Sequence, residues 1–247
     1  MLIHNIASSS KGNCTVISDG THNIIIDCGI SCKKVCEAGD YEDFHAMFIS
    51  HEHTDHVTGA GVMGRKYGMP LYIHENSYNA RPEKHWKGCD IHFWEPGEDI
   101  EVGELLVHNF STKHDSMASY GFIISHNNKT LGYLTDTGSF SRLMIEELKS
   151  CDTYFLETGH DLDLLMNYEE YDDLLKERIS SDWGHLSNAQ SMEFLQTLEK
   201  QPKFLIFGHL SEKTNSPKIV LDLTKETFPN WDLEQVFVAP ESKIFEL

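Results

Sequence analysis

The segment Ile49-Ser50-His51-Glu52-His53-Thr54-Asp55-His56 crowds three imidazoles and a carboxylate into six residues, an H-x-H-x-D-H pattern. Such density suits neither a helix face nor a core. The pattern follows an apolar run, Ala46–Ser50, and opens a helical one. His51 and His53, two apart on extended chain, point the same way, while Asp55 and His56 sit at the helix start and can turn toward a second ion. The alternative is a polar loop of satisfied histidines, which the spacing disfavours. Histidine, the commonest metal ligand, occurs 15 times in the chain.

Four ligands cannot close two metal sites, so others are expected at strand ends. His114 follows the strand ending at Phe110, Asp136 ends Leu131-Gly-Tyr-Leu-Thr-Asp136, and His209 ends Phe204-Leu-Ile-Phe-Gly-His209. A lone histidine beside an apolar strand is ordinarily only a satisfied one. Three such residues in a chain already holding the dense motif are not independent coincidences.

The 247 residues suffice for a large core, and the chain reads as one domain over 1–247. Apolar content of 40% and charged content of 24% fit a globular protein. No apolar run approaches the roughly 20 residues of a membrane span, and no signal peptide is read at the start. Six scattered cysteines fit reduced thiols in a cytoplasmic protein better than a disulfide scaffold. Cys28, Cys32 and Cys36, spaced by four, read as small buried residues because no CxxC pair accompanies them. Acidic residues outnumber basic ones 39 to 20, for a net charge of −19. A protein that tracks long nucleic acid carries a basic stripe. The nearest feature is Arg81-Pro-Glu-Lys84-His85-Trp86-Lys87, which reads as a short solvated loop.

Apolar runs bounded by Gly, Pro, Asn and Asp predict strands over Leu2–Ala7, Cys14–Ser18, Asn23–Asp27, Ala46–Ser50 and Leu71–His74. Further strands are predicted over Asp90–Trp94, Asp99–Val102, Glu104–Phe110, Ser119–Ser125, Lys129–Thr135, Thr153–Glu157, Lys203–Phe207 and Gln235–Val238. Helices are predicted over Ser31–Ala38, Thr54–Tyr67, Ser141–Lys149, Asp161–Ile179, Asn188–Lys200 and Ser216–Thr227. Strand-led halves that each acquire helices suggest an α/β protein with two sheets face to face and helices outside.

These motifs resemble the metallo-β-lactamase superfamily, and within it the binuclear phosphodiesterase branch that includes RNase Z and YycJ/WalJ-like proteins. The resemblance runs through Ser8–Asn13, Ile26-Asp27-Cys28-Gly29, His51–His56, Lys113-His114-Asp115, Thr135-Asp136-Thr137-Gly138, Gly184-His185-Leu186-Ser187-Asn188 and Gly208-His209-Leu210-Ser211. It implies a four-layer αββα sandwich holding two divalent ions, Zn²⁺ or Mn²⁺. On this reading His51, His53 and His114 hold one metal, Asp55, His56 and His209 the other, and Asp136 bridges them. His185, Asp55 and His160 are the catalytic candidates: His185 as general acid, His160 as either a phosphate contact or a structural histidine. Asp27 is expected to orient a ligating histidine. Two departures fall near the expected site mouth: Thr158-Gly159 replaces a Ser-Asn pair, and Tyr168–Asp173 is unusually acidic.

Two metals about 3.5–4 Å apart suit phosphodiester hydrolysis. For the substrate, the −19 charge favours a small nucleotide such as a cyclic mononucleotide, the substrate class of phage anti-Pycsar proteins of this general fold. The motifs favour a 5′-to-3′ DNA exonuclease of the YycJ/WalJ type, and a non-enzymatic metal-binding module ranks below both. Charge puts the small substrate narrowly first. A homodimer is expected from the habits of the branch, with Trp86 and Trp94 in a surface-like stretch as support.

Overall fold

The computed structural model describes residues 1–239 and 243–247. In chain order the elements are β1 (Leu2–Ser9), β2 (Gly12–Ser18), β3 (Asn23–Ile26), α1 (Cys32–Ala38), β4 (Ala46–Phe48), α2 (Thr54–Val57), α3 (Ala60–Tyr67) and β5 (Pro70–Ile73). Then come α4 (Glu75–Asn79), α5 (Glu83–Trp86), β6 (Asp90–Phe93), β7 (Asp99–Val102), β8 (Leu105–Ser111), β9 (Tyr120–His126) and β10 (Lys129–Leu134). The chain continues through α6 (Arg142–Leu148), β11 (Thr153–Glu157), α7 (Leu162–Asn167), α8 (Asp173–Ser180), α9 (Asn188–Gln196), β12 (Phe204–Gly208), α10 (Pro217–Thr227), β13 (Val236–Val238) and β14 (Lys243–Glu246). These pack as two compact units, one of residues 1–111, 116–129 and 240–247, the other of residues 112–115 and 130–239.

The first unit holds a sheet of order β14-β1-β2-β3-β4-β5-β6. Its β14-to-β3 half is antiparallel and its β3-to-β6 half parallel. Strands β3 and β4, Asn-Ile-Ile-Ile and Ala-Met-Phe, are almost wholly buried, as central parallel strands covered on both faces must be. Strands β7, β8 and β9 form an antiparallel set in the same unit. Trp94 joins the two sets: its ring lies 5.0 Å from Phe48, 5.9 Å from Tyr72 and 5.9 Å from Phe122, centroid to centroid.

The second unit is built on the parallel strands β10, β11, β12 and β13, whose connections carry the helices. Ser141, Ser187 and Ser216 cap α6, α9 and α10, each accepting from a backbone N–H three residues on.

Three expectations are corrected. The helix expected over Thr54–Tyr67 is two, α2 and α3, because Gly59 leaves helical pairing to donate to Cys28 O at 2.7 Å. A Cβ at Gly59 would lie 2.0 Å from Ile30 O, so the break is enforced by close backbone approach. The helix expected over Asp161–Ile179 is also two, since Asp172 caps a fresh start at Leu175 N, 2.8 Å away. Finally, Trp86 and Trp94 are buried, at 2% and 0% exposure. Their indole N–H groups donate to Tyr78 O (3.1 Å) and Glu98 O (3.3 Å), which lets both rings go inside. They therefore offer nothing to a subunit contact. Among the described residues no helix is long and apolar enough to cross a membrane.

Trp94→Ala is expected to remove about 3–5 kcal/mol of unfolding free energy, the usual cost of truncating a buried aromatic. Urea unfolding followed by circular dichroism measures it. A loss under about 1 kcal/mol would mean that the ring is not part of this core.

Candidate metal centre

In the first unit, β3 is followed by Asp27, whose φ of 56° turns the chain out of the sheet. Its carboxylate accepts from Ser50 N at 2.7 Å and from Ser50 Oγ at 2.7 Å, and meets His56 Nδ1 at 2.8 Å. All three residues are buried. With Nδ1–H donated to Asp27, His56 keeps its Nε2 lone pair, the tautomer a metal ligand needs. The Asn13 amide lies 3.0 Å from that nitrogen and 3.4 Å from Asp55 Oδ2. The His51 ring sits 4.6 Å from His53 and 4.1 Å from His56, so the three imidazoles form one group. The turn fits only because residue 29 is glycine: a Cβ there would fall 1.5 Å from Asp55 O. The expected Asp27 contact with a motif histidine is present.

The second unit repeats the device. Asp136 follows β10 and His209 follows β12, each with a φ of 56°. His209 Nε2 lies 3.5 Å from Asp136 Oδ1 and His114 Nε2 lies 3.9 Å from it. Both histidines have Nδ1 engaged by an oxygen, Gly184 O at 3.0 Å for His114 and Glu157 Oε1 at 3.1 Å for His209. That again leaves Nε2 as the donor. Ligand atoms about 2.0–2.2 Å from a tetrahedral Zn²⁺ stand about 3.3–3.6 Å apart, close to these spacings. One atom each from Asp136, Glu157, His185 and His209 all lie within 4.8 Å of one another. The donor set of the second unit therefore fits a divalent ion.

Glu157, at the end of β11, is fully buried, and no local sequence signal marks it out. Its Oε1 accepts from His209 Nδ1 and, at 2.8 Å, from His185 Nδ1, while Oε2 accepts from Thr137 N at 3.0 Å. Burial alone would raise its pKa, but the His185 charge and the two imidazole hydrogen bonds outweigh it and hold it at about 2. Conversely, burial works to lower the His185 pKa, and Glu157 with Asp136 overcomes it, so the net direction is up. His185 Nδ1 is also 3.4 Å from Asp136 Oδ1, and the side chain is 28% exposed. His160 is different. It is 1% exposed, burial brings its pKa down to about 4, and neither ring nitrogen has a hydrogen-bond partner among the described residues. Its backbone carbonyl accepts from Asn188 N at 2.9 Å, locking the start of α9 to the end of β11. At Gly159 a Cβ would meet His185 Cβ at 3.2 Å, a tight contact that glycine avoids.

Residues 22–209 match the family described as "Beta-lactamase superfamily domain", a stretch that runs through both units. The chain is 34% identical over 220 residues to exodeoxyribonuclease WalJ of Streptococcus pneumoniae, covering 85% of this chain and 81% of that protein. It is 29% identical over 225 residues to exodeoxyribonuclease YycJ of Bacillus anthracis, covering 87% and 84%. Among solved structures, the metallo-beta-lactamase fold protein YhfI from Bacillus subtilis superposes with a TM-score of 0.73 at 16% identity, over 99% of this chain and 98% of that one. The chain belongs to the beta-lactamase superfamily, on the YycJ/WalJ branch. The expected α/β fold, the αββα sandwich of that superfamily, is thereby shown.

Asp27→Ala leaves Ser50 N, Ser50 Oγ and His56 Nδ1 without their buried acceptor. The expected cost is about 3–5 kcal/mol, as for other broken buried pairs. Urea unfolding of chelator-treated protein reads this directly, and an unchanged midpoint would refute the anchoring role.

Proposed function

We propose that residues 1–247 form one metal-dependent phosphodiesterase domain that degrades DNA from an end. The proposed ligands are His51, His53 and His114 for one ion and Asp55, His56 and His209 for the other, with Asp136 shared. The observation that carries the reading is the set of oxygen-held histidines: His56 on Asp27, His114 on Gly184 O, and His209 on Glu157, each with Nδ1 engaged. When bound, the two ions, Zn²⁺ or Mn²⁺, polarise a phosphoryl oxygen and make water nucleophilic.

In this reading His185 protonates the leaving oxygen from Nε2. Glu157 holds the opposite N–H and favours the charged ring, which is the direction of the pKa shift. A positioned acid contributes ~10²–10⁴ in rate. His160, kept neutral by burial, is assigned to holding the β11–α9 junction beside His185 and not to proton transfer. Asp55 acts as a ligand that also accepts from Asn13.

The exonuclease names of the WalJ and YycJ relatives support a DNA substrate. The net charge of −19 supports the second reading, a cyclic mononucleotide with its single phosphate charge. Purified protein with Mn²⁺ or Zn²⁺, offered single-stranded DNA, duplex DNA and cyclic mononucleotides, separates the two. Release of mononucleotides from DNA is expected. Turnover of the cyclic nucleotide alone would reverse the order.

Asp136→Ala is expected to abolish turnover, and substantial residual activity would remove Asp136 from the shared position. His185→Ala is expected to retain both metals by elemental analysis and to lose ~10²–10⁴ in kcat on DNA, with a smaller loss on a nitrophenyl phosphodiester. Loss of a metal, or equal losses on both substrates, would refute the acid role. A homodimer in a cytoplasmic setting completes the proposal. Sedimentation at micromolar concentration tests the dimer, and a sole 28.2 kDa species would rule it out.

A further inference from the structure

The run Arg81–Lys87 is solvated as expected at Pro82, Glu83, Lys84 and Lys87, but it is not a loop. Its residues Glu83–Trp86 form α5, pinned by the buried Trp86 ring, and they wall a cleft of about 300 Å³. Thr58, Gly61, Val62 and Arg65 of the α2–α3 segment line the opposite side, facing Arg81, Pro82, Lys84 and His85. No carboxylate lines it, in a chain where acidic residues outnumber basic ones 39 to 20. Glu83 lies on α5 but outside the lining. Among the described residues Arg65, Arg81 and Lys84 have no carboxylate partner.

The arginines are held by neutral acceptors instead. Arg65 Nη1 donates to Lys87 O at 3.1 Å and His85 O at 3.3 Å. Arg81 Nε donates to Glu52 O at 2.6 Å and Nη2 to Thr54 Oγ1 at 2.9 Å. Their charges are positioned but not neutralised, and a guanidinium with spare N–H groups suits a phosphate. Gly61 permits the approach, since a Cβ there would come 2.1 Å from His85 O. Arg81 also ties the cleft to the metal motif, because Glu52 and Thr54 alternate with His51, His53 and Asp55.

We propose that this cleft is an anion subsite that takes a phosphate of the nucleic-acid strand away from the bond being cut, with Arg65, Arg81 and Lys84 as its cations. It rests on the DNA reading above and deepens it. It also supplies what the sequence lacked: a confined basic site tied to the His51–His56 motif, in place of a stripe. A strand would be gripped at one phosphate and repelled over the acidic remainder.

The test compares wild type, Lys84→Glu and Arg65→Gln on a fluorescein-labelled single-stranded oligonucleotide, carrying either a 5′-phosphate or a 5′-hydroxyl. Binding is read by anisotropy in EDTA, cleavage with Mn²⁺, each from 50 to 200 mM salt, and bis(4-nitrophenyl) phosphate serves as the small ester. Each variant is expected to weaken oligonucleotide binding on the order of tenfold and to flatten the salt slope by about one unit. The loss in kcat/KM on DNA should exceed that on the small ester by a similar factor. A deficit confined to the 5′-phosphorylated strand would identify the terminal phosphate as the ligand; a deficit on both strands would identify a backbone phosphate. Wild-type-like binding and salt slope in both variants, with DNA still cleaved, would overturn the subsite alone. A wild type that cleaves the small ester but neither binds nor cuts DNA would overturn the DNA reading and the subsite with it.

Discussion

A buried carboxylate accepting from imidazole Nδ1 is the interaction on which the chemistry of both units depends. An ionised carboxylate away from water is costly unless it is paired and hydrogen-bonded. Asp27 meets that condition with Ser50 and His56, and Glu157 meets it with Thr137, His185 and His209. Each acid is stable inside only because imidazoles and backbone amides surround it. Each imidazole has a defined tautomer only because the acid is there. Removing either member leaves the other uncompensated.

Strand termination positions these groups within each unit. Asp27, Asp136 and His209 follow the ends of β3, β10 and β12 in the left-handed region, and Glu157 is the last residue of β11. Groups at the carboxyl ends of parallel strands are where α/β sheets usually hold ligands. A side chain within a strand is committed to one face of the sheet. A residue that reverses the backbone as the strand ends is released from that alternation and can be aimed along the sheet.

The legibility of the site in the sequence divides on the same line. His51, His53, Asp55 and His56 declare themselves because their chemistry lies in local spacing. Asp136 and His209 are visible as polar residues closing apolar strands, and so is Asp27. Glu157 closes a strand in the same way, yet its partners are 28 and 52 residues distant, and nothing local distinguishes it from an ordinary terminal acid. The strand pattern, β14 excepted, is readable to within a residue or two because it rests on alternation and turn chemistry. Helices broken by non-local contact were not, as at Gly59. Trp86 and Trp94 misled because their neighbours are polar, while the carbonyls that let them be buried belong to Tyr78 and Glu98.

The positive φ angles at Asp27, Asp136 and His209 have an evolutionary consequence. A non-glycine residue in this region is uncommon and stores on the order of 1–3 kcal/mol. Glycine or asparagine would sit there at less cost. Selection for folding alone would let such residues drift in, and only a requirement for the carboxylate or imidazole opposes them. In a descendant that had given up its chemistry but kept its fold, these three positions should be among the earliest to relax. Their identities would then report loss of activity sooner than the surrounding core, whose packing constrains it whether or not the protein still turns over substrate.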